Sequence, residues 1–368
     1  MNNKILILVN HDLVIYNFRK ELVEKLIENG YDIYISSPNG ERIDYFVQIG
    51  CNFIETKINR HGISFFEDLK LLKKYKKIIK EVNPFVVLTY TIKPNIYGGL
   101  AAKKCNIPYI ANITGLGTAL EKKSLLQFLL IVMYKRAFSK IHVVFFQNKE
   151  NKDFFTKYRI ALNSQKLIPG SGVNINHFNY IKYPSNTKIH FAFISRIMKK
   201  KGIEEYLYAA RIIREKYPNT IFHVCGFCEE RYETIIEKYS SENIIVYHGQ
   251  VSDVRQIFKD IHCVVHPSNY PEGISNILLE AASSGRPLIT TNRSGCRETV
   301  DENETGFYVE PENELDLIEK VENFLHLSYE QMKEMGIRGR NKVSIEFNRD
   351  DVIKAYLEEI EILENSTN

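Results

Sequence analysis

An α/β protein made of two doubly wound parallel sheets is what this sequence predicts, and three observations carry that prediction. The chain has 368 residues, more than one hydrophobic core usually organises, so two domains are expected. Short apolar runs rich in β-branched residues alternate with helical patterns, as they do where parallel strands are joined by crossover helices. The alternation stops once, near the middle of the chain, and then restarts.

The first half opens with the apolar run Ile5 to Val9 behind Lys4, a strand, followed by a helix from Phe18 to Asn29 that Gly30 ends, and a strand from Asp32 to Ser36. Further strands are expected at Phe85 to Thr89, Tyr109 to Ile113 and His142 to Phe146. Lys70 to Lys80 reads as a basic amphipathic helix with an apolar stripe at positions 71, 72, 75, 78 and 79. After Gly170-Ser171-Gly172-Val173 comes an aperiodic polar stretch with Pro184. The expected division is therefore 1–178 for the first domain, 179–188 for a linker and 189–349 for the second domain. Strands are expected there at Ile189 to Ile194, Thr220 to Cys225, Ile244 to Tyr247, Cys263 to His266 and Pro287 to Thr291. A last helix spans about Asp350 to Leu363.

Composition excludes several classes. With 44% hydrophobic and 26% charged residues and no repeat, the chain is not a disordered or fibrous protein. The longest apolar run, Leu125 to Tyr134, is too short to span a membrane, and no signal peptide is read at the start. The six cysteines suit free thiols of a cytosolic protein. Cys225-Gly226-Phe227-Cys228 has the spacing of a redox or zinc pair, but with no second pair it is better read as a strand-end loop. The net charge of +4 hides an asymmetry: residues 1–178 carry +12 and the remainder −8. A basic half suits an anionic surface or substrate. Its cations are spread over helices and loops without an aromatic-flanked RNA motif, so no nucleic-acid partner is expected.

The run Tyr270-Pro-Glu-Gly-Ile-Ser-Asn-Ile-Leu-Leu-Glu-Ala281 is the most informative stretch. Ser275 or Asn276 can cap a short helix that Gly285 and Pro287 end. Its first-turn amides and positive dipole end, beside Gly273 and Ile274, suit a phosphate. Glu272, ahead of the helix, can accept hydrogen bonds from sugar hydroxyls, and Glu280, a turn inside, from the two hydroxyls of a ribose. Spacing alone leaves open a surface acid followed by an ordinary helix acid. Ser195-Arg196-Ile-Met-Lys-Lys-Lys201-Gly202 follows the first strand of the second half, where ligands of open α/β sheets bind. Arg196 and Lys201 there can stabilise the charge of a departing diphosphate without a metal; a solvated lysine loop explains Lys199 and Lys200 equally well.

The Pro-Glu-Gly entry, the Glu-x7-Glu spacing and the closing Leu-Glu-Ala resemble the signature of the family-4 retaining glycosyltransferases, and the Arg196/Lys201 spacing matches the same family. That resemblance implies the GT-B architecture, two Rossmann-like domains facing across a cleft, with the helix 350–363 returning to the first domain. It also implies that Arg196 and Lys201 hold the diphosphate and Glu272 the sugar. Gly273, Ile274, Ser275, Asn276 and Glu280 would take the rest of the donor. Pro169 to Phe178 resembles the interdomain segment, which puts Gly172 near the donor, although a plain linker glycine is equally compatible. Gly249-Gln-Val251-Ser resembles the segment beside the nucleobase; Ser252 as a helix cap is the simpler alternative.

The first half departs from the family pattern. A Gly-Gly turn is replaced by Asn10-His11-Asp12, and Thr114 stands before Gly115 where many members have a histidine. His11, Lys93, Asn95, Thr114 and Gly115 are the expected acceptor-side residues. The helix at Leu125 to Tyr134, flanked by Lys122-Lys123 and Lys135-Arg136, is open to two readings: contact with an anionic leaflet, or a buried core helix.

The resemblance implies a retaining transfer of a sugar from a UDP-sugar to a polyprenyl-diphosphate-linked saccharide, in bacterial surface-polysaccharide assembly. It implies neither cofactor nor metal. The expected location is the cytoplasm, peripherally on the inner leaflet of the cell membrane. A sugar-nucleotide epimerase or hydrolase on the same scaffold is the alternative.

Overall fold

The computed structural model describes residues 2–59, 65–121, 123–185 and 187–367. The chain divides into two compact units, residues 1–171 with 350–368, and residues 172–349. Unit 1 runs β1 (Lys4–Leu8), α1 (Asp12–Glu28), β2 (Asp32–Ser37), α2 (Ile43–Gln48), β3 (Asn52–Glu55), α3 (Phe65–Val82), β4 (Val86–Tyr90), α4 (Gly99–Cys105), β5 (Tyr109–Ile113), α5 (Thr118–Glu121), α6 (Leu125–Ala137), β6 (Val143–Phe146), α7 (Lys149–Lys157) and β7 (Gln165–Leu167). Its strands form one parallel sheet of order β3-β2-β1-β4-β5-β6-β7. The inner strands β1, β2, β4, β5 and β6 are almost wholly buried because helices cover both faces of the sheet. On one face α3, α4 and α6 pack Leu71, Tyr75, Ile131 and Tyr134 onto Leu6, Val87 and Ala111. The stripe of α3 thus faces the core. On the other face α1 packs with residues of the chain's last helix.

Unit 2 runs β8 (Ile189–Ile194), α8 (Ile203–Lys216), β9 (Thr220–Cys225), α9 (Glu233–Ser241), β10 (Ile245–Tyr247), α10 (Arg255–Phe258), β11 (Cys263–His266), α11 (Asn276–Ser283), β12 (Leu288–Thr291), β13 (Gly306–Val309), α12 (Glu314–Leu325) and α13 (Tyr329–Glu346). The sheet order is β10-β9-β8-β11-β12-β13. Strand order reverses between β8 and β11, so a crevice opens at their carboxyl ends. The final helix α14 (Arg349–Thr367) buries Val352, Tyr356, Ile360 and Leu363 in the core of unit 1.

Three expectations are corrected. The division falls at Ser171/Gly172, ahead of 178: Val173 bridges Asn348, and Gly172 packs against the Arg349 backbone. The stretch 179–188, whose Asn186 lies outside the described residues, is not a free linker. The buried Arg286 guanidinium donates to the carbonyls of Ile181, Lys182, Gly285 and Phe258, and Tyr183 donates to His262 O. Helix α1 starts six residues before Phe18 because His11, in extended backbone, caps it: its Nδ1 accepts from Leu13 N at 3.1 Å.

Candidate functional site

In unit 2 the loops leaving β8 and β11 are locked together by backbone. Gly202, at φ +81°, packs so tightly on Pro267 that a Cβ would overlap its carbonyl, and Asn269 N donates to Lys200 O at 2.9 Å. A residue with a side chain at 202 would be both strained and blocked. This contact carries Lys201 to Glu272. The lysine ammonium pairs with Glu272 Oε1, which also accepts from Ser268 Oγ at 3.2 Å and lies 3.5 Å from His266 Nε2. Burial pushes the Glu272 carboxyl up, but Lys201 and then His266 outweigh it and hold it well below the usual carboxylate range. Burial holds His266 below its ordinary value, so the imidazole is neutral and offers its Nε2 proton to Glu272. Among the described residues its buried Nδ1 has no partner.

Tyr270 joins the second cation to this pair. Lys201 Nζ and the Arg196 guanidinium lie 5.1 and 5.4 Å from its ring centre. Arg196 also pairs with Glu229 at 2.5 Å. Glu272, Lys201 and Arg196 are therefore gathered at the switch point. Sequence reasoning missed Tyr270, His266 and Glu229; the aromatic beside the Pro-Glu-Gly entry was the only available signal.

Ser275 N-caps α11 with extended backbone but without a side-chain cap; its Oγ lies 3.4 Å from His266 Nε2, and its N–H donates to Gly295 O. Gly273 and Ile274 are buried, and Gly295, at φ +95°, passes within contact distance of Gly273 O. Among the described residues the buried Asn276 Oδ1 has no partner. Glu280 lies on the second turn of α11, and among the described residues its carboxylate has no hydrogen bond. Burial pushes its carboxyl up to about 7, with Arg349 acting against the shift. Arg349 donates to Gly172 O at 3.0 Å, which fixes the guanidinium whose charge acts on Glu280 from a distance. Gly249, at φ +66°, accepts from Gly226 N at 2.8 Å, and Gly226 in turn lies against Ser195 O. The loops after β8, β9 and β10 are thereby tied into one rim. Val251 packs half-buried onto the core beside it. Cys225 and Cys228 are free thiols raised by burial, and the glycine between them is what this loop requires.

Among the described residues one group could gather around a metal ion, His266, Glu272 and Cys296. It suits a cation poorly: burial pushes the Cys296 thiol up to about 12, and the Lys201 ammonium already occupies Glu272.

In unit 1, His11 faces Asp12 at 2.7 Å as well as capping α1. Lys93 pairs with Asp68 at 2.9 Å. Thr114 and Gly115 (φ +145°) are half-buried just past β5. Asn95 is a correction: it does not face an open site but is fully buried, accepting from Thr89 Oγ1 at 2.8 Å and donating to Asn112 O at 2.9 Å. An unpaired amide there would be costly, which explains its presence without any ligand. Lys122 lies outside the described residues.

Residues 180–342 match the family model described as glycosyl transferases group 1, and residues 4–148 the model described as glycosyl transferase 4-like. The chain is 24% identical over 360 residues to an N,N'-diacetylbacillosaminyl-diphospho-undecaprenol alpha-1,3-N-acetylgalactosaminyltransferase of Campylobacter jejuni, covering 93% of this chain and 94% of that protein. It is 27% identical to the capsular polysaccharide biosynthesis glycosyltransferase CapM of Staphylococcus aureus, covering 89% and 88%. Among solved structures, a glycosyltransferase from Rickettsia africae superposes with a TM-score of 0.81 at 21% identity, over 98% of both chains. Anabaena Alr3699/HepE in complex with UDP and glucose superposes at 0.79 and 15% identity, over 97% and 99%.

Proposed function

We infer, for a chain that belongs to the glycosyltransferases through its glycosyl transferase 4-like and group 1 regions, that it moves a sugar from UDP to a polyprenyl-diphosphate-linked saccharide with retention at the anomeric carbon. The observation that carries this reading is the buried Glu272–Lys201 pair with Arg196 beside it at the β8/β11 switch point. An ionised Glu272 is an acceptor only, which suits sugar hydroxyls. Lys201 and Arg196 would turn from Glu272 and Glu229 to the diphosphate and stabilise its charge as the glycosidic bond breaks. The leaving phosphate would then take the proton of the acceptor hydroxyl that attacks the same face, so no protein nucleophile and no metal is needed. The lipid-linked acceptor follows from the relatives' names, and it would place the enzyme peripherally on the inner leaflet of the cell membrane.

The test is a panel of UDP-sugars against a pool of lipid-linked saccharides, read by mass spectrometry. A mass gain of one sugar on one acceptor, persisting in excess EDTA, is expected. Release of free sugar without any acceptor would favour a hydrolase, and loss of activity in EDTA with recovery on adding magnesium would overturn the metal-free mechanism.

A further inference from the structure

No helix among the described residues is long and apolar enough to cross a membrane. Besides Leu13, Val47, Leu162, Leu167 and Ile362, unit 1 exposes large apolar side chains in two groups at the starts of helices. On α3, Phe66 is 77% and Leu69 36% exposed; on α6, Leu125 is 84%, Phe128 64% and Leu129 48% exposed. Both groups lie in the first turns of their helices. α3 follows β3 and α6 follows β5 in an all-parallel sheet, so both first turns lie at its carboxyl edge. Both helices bury their inner faces in the same core, and the π-helical turn Pro94–Gly98 touches both. The two groups therefore share one edge and one face of unit 1.

Cations surround them. A cavity of about 690 Å³ beside the start of α3 is lined by Lys57, Lys70, Lys74 and Lys93 together with Glu67 and Asp68. Asp68 is taken by Lys93, and Glu67 accepts from Asn59. Among the described residues no carboxylate pairs with Lys57, Lys70 or Lys74. Lys123, next to the cap of α6, is exposed as well. Exposed apolar tips ringed by unpaired lysines match an interface whose headgroups are anionic and whose interior is apolar.

We propose that the first turns of α3 and α6 are the face by which this protein docks on an anionic lipid bilayer, an inference that rests on the lipid-linked acceptor proposed above. Phe66, Leu69, Leu125, Phe128 and Leu129 enter the headgroup boundary, and Lys57, Lys70, Lys74 and Lys123 meet lipid phosphates. Lys135 and Arg136 take no part: α6 is roughly 20 Å long, and they sit at its far end. Helix α6 is thus a core helix on one side, through Gln127, Ile131, Tyr134 and Ala137, and a docking element at its exposed start.

The chain contains no tryptophan, so one introduced indole reports on its own surroundings. Leu125→Trp and Phe128→Trp should each give a blue-shifted emission with vesicles of phosphatidylglycerol and phosphatidylcholine, reversed by high salt. Ile345→Trp, at a position 77% exposed in unit 2, should give none. In co-sedimentation, Phe66→Ser/Leu125→Ser/Phe128→Ser and Lys57→Gln/Lys70→Gln/Lys74→Gln should each lose on the order of tenfold in binding. Lys135→Gln/Arg136→Gln should bind as the parent does. Absence of binding by the parent, no emission shift at 125 and 128, or a shift at 345 equal to theirs would overturn the proposal. Transfer to the same saccharide on a short water-soluble carrier separates the two readings: intact transfer without vesicle binding sinks the docking face alone. Vesicle binding without transfer to any acceptor supports the face and sinks the transferase reading.

Discussion

Glu272 is mostly buried yet ionised, and the balance depends on its neighbour. Removing Lys201 alone leaves a carboxylate without its cation, which typically costs 3–5 kcal/mol, whereas removing both charges costs far less. Lys201→Ala should therefore destabilise unit 2 by about 3 kcal/mol, and Lys201→Ala/Glu272→Ala should recover most of that loss in thermal melts. Glu272→Ala should keep the fold while lowering kcat/KM by roughly 30- to 150-fold, the cost of about 2 to 3 kcal/mol of transition-state binding. A folded Glu272→Ala protein with parental kinetics would remove the residue from the site. Glu280 carries the opposite electrostatics. Its folded value of about 7 lies above that of an unfolded carboxyl, so its contribution to stability is complete below about pH 4 and is lost as pH rises through 7. Glu280→Gln should gain stability over the parent between pH 5 and 8, on the order of 2 kcal/mol. If the ionised form accepts from the ribose, UDP binding should tighten as pH rises through 7, and that step should vanish in Glu280→Gln. At this scale the sequence exposed Glu272, Lys201 and Arg196 because they sit in contiguous motifs. It hid His266, whose role arises only when the end of β11 folds under the Glu272 loop. Asn95 was assigned to the acceptor side by the likeness of its segment to surface-polysaccharide glycosyltransferases, whereas here it satisfies buried Thr89 and Asn112.

Inner strands with a continuous apolar run were legible, and the short edge strands mostly were not, β13 with its apolar Phe307-Tyr308-Val309 included. β1, β4, β5, β8 and β11 lie inside their sheets, covered on both faces, and their composition shows it. The strands at β3, β7 and β13 were missed. Each is an edge strand of three or four residues, and Asn52–Glu55 and Gln165–Leu167 mix polar and apolar side chains because an edge is only half covered. The stretch after Gly172 was misassigned because its anchor lies a hundred residues away. Arg286 is fully buried, and its hydrogen bonds to Ile181 O and Lys182 O hold that stretch in place. Arg286→Met keeps volume but leaves those carbonyls unsatisfied, so a loss of about 3 kcal/mol is expected, at roughly 1 to 3 kcal/mol per buried group. Limited proteolysis should then cut first between 179 and 188. Parental stability with an uncut segment would show that water replaces the guanidinium there.

At the scale of the molecule the chain assembles unit 1 from its two ends. Residues 1–171 carry a net +12, and residues 350–368 bring six acids against one lysine, which lowers unit 1 to +7. The acids are placed where they act: Glu359 pairs with Lys166 and lies 2.8 Å from His142, and Glu364 accepts from Tyr31 at 2.8 Å. The apolar side of α14 counts for more. Val352, Tyr356, Ile360 and Leu363 are buried against α1 and the sheet; Tyr356 also accepts from Asn112 at 3.0 Å and stacks on the buried Arg19 guanidinium. Each such side chain contributes about 1.5–3 kcal/mol by burial, so four of them match the whole stability of an ordinary domain. Ending the chain at Arg349 should therefore unfold unit 1 and leave unit 2, whose core is complete within 172–349, folded. Proteolysis of that truncated chain should leave a resistant fragment beginning near Gly172, with the first 171 residues digested. Adding a peptide of residues 349–367 should restore resistance in unit 1, and more weakly as salt rises, because part of its attraction is the charge difference between the two ends. A truncated chain that melts as the parent does, with residues 1–171 resistant on their own, would show that α14 covers a core already closed without it.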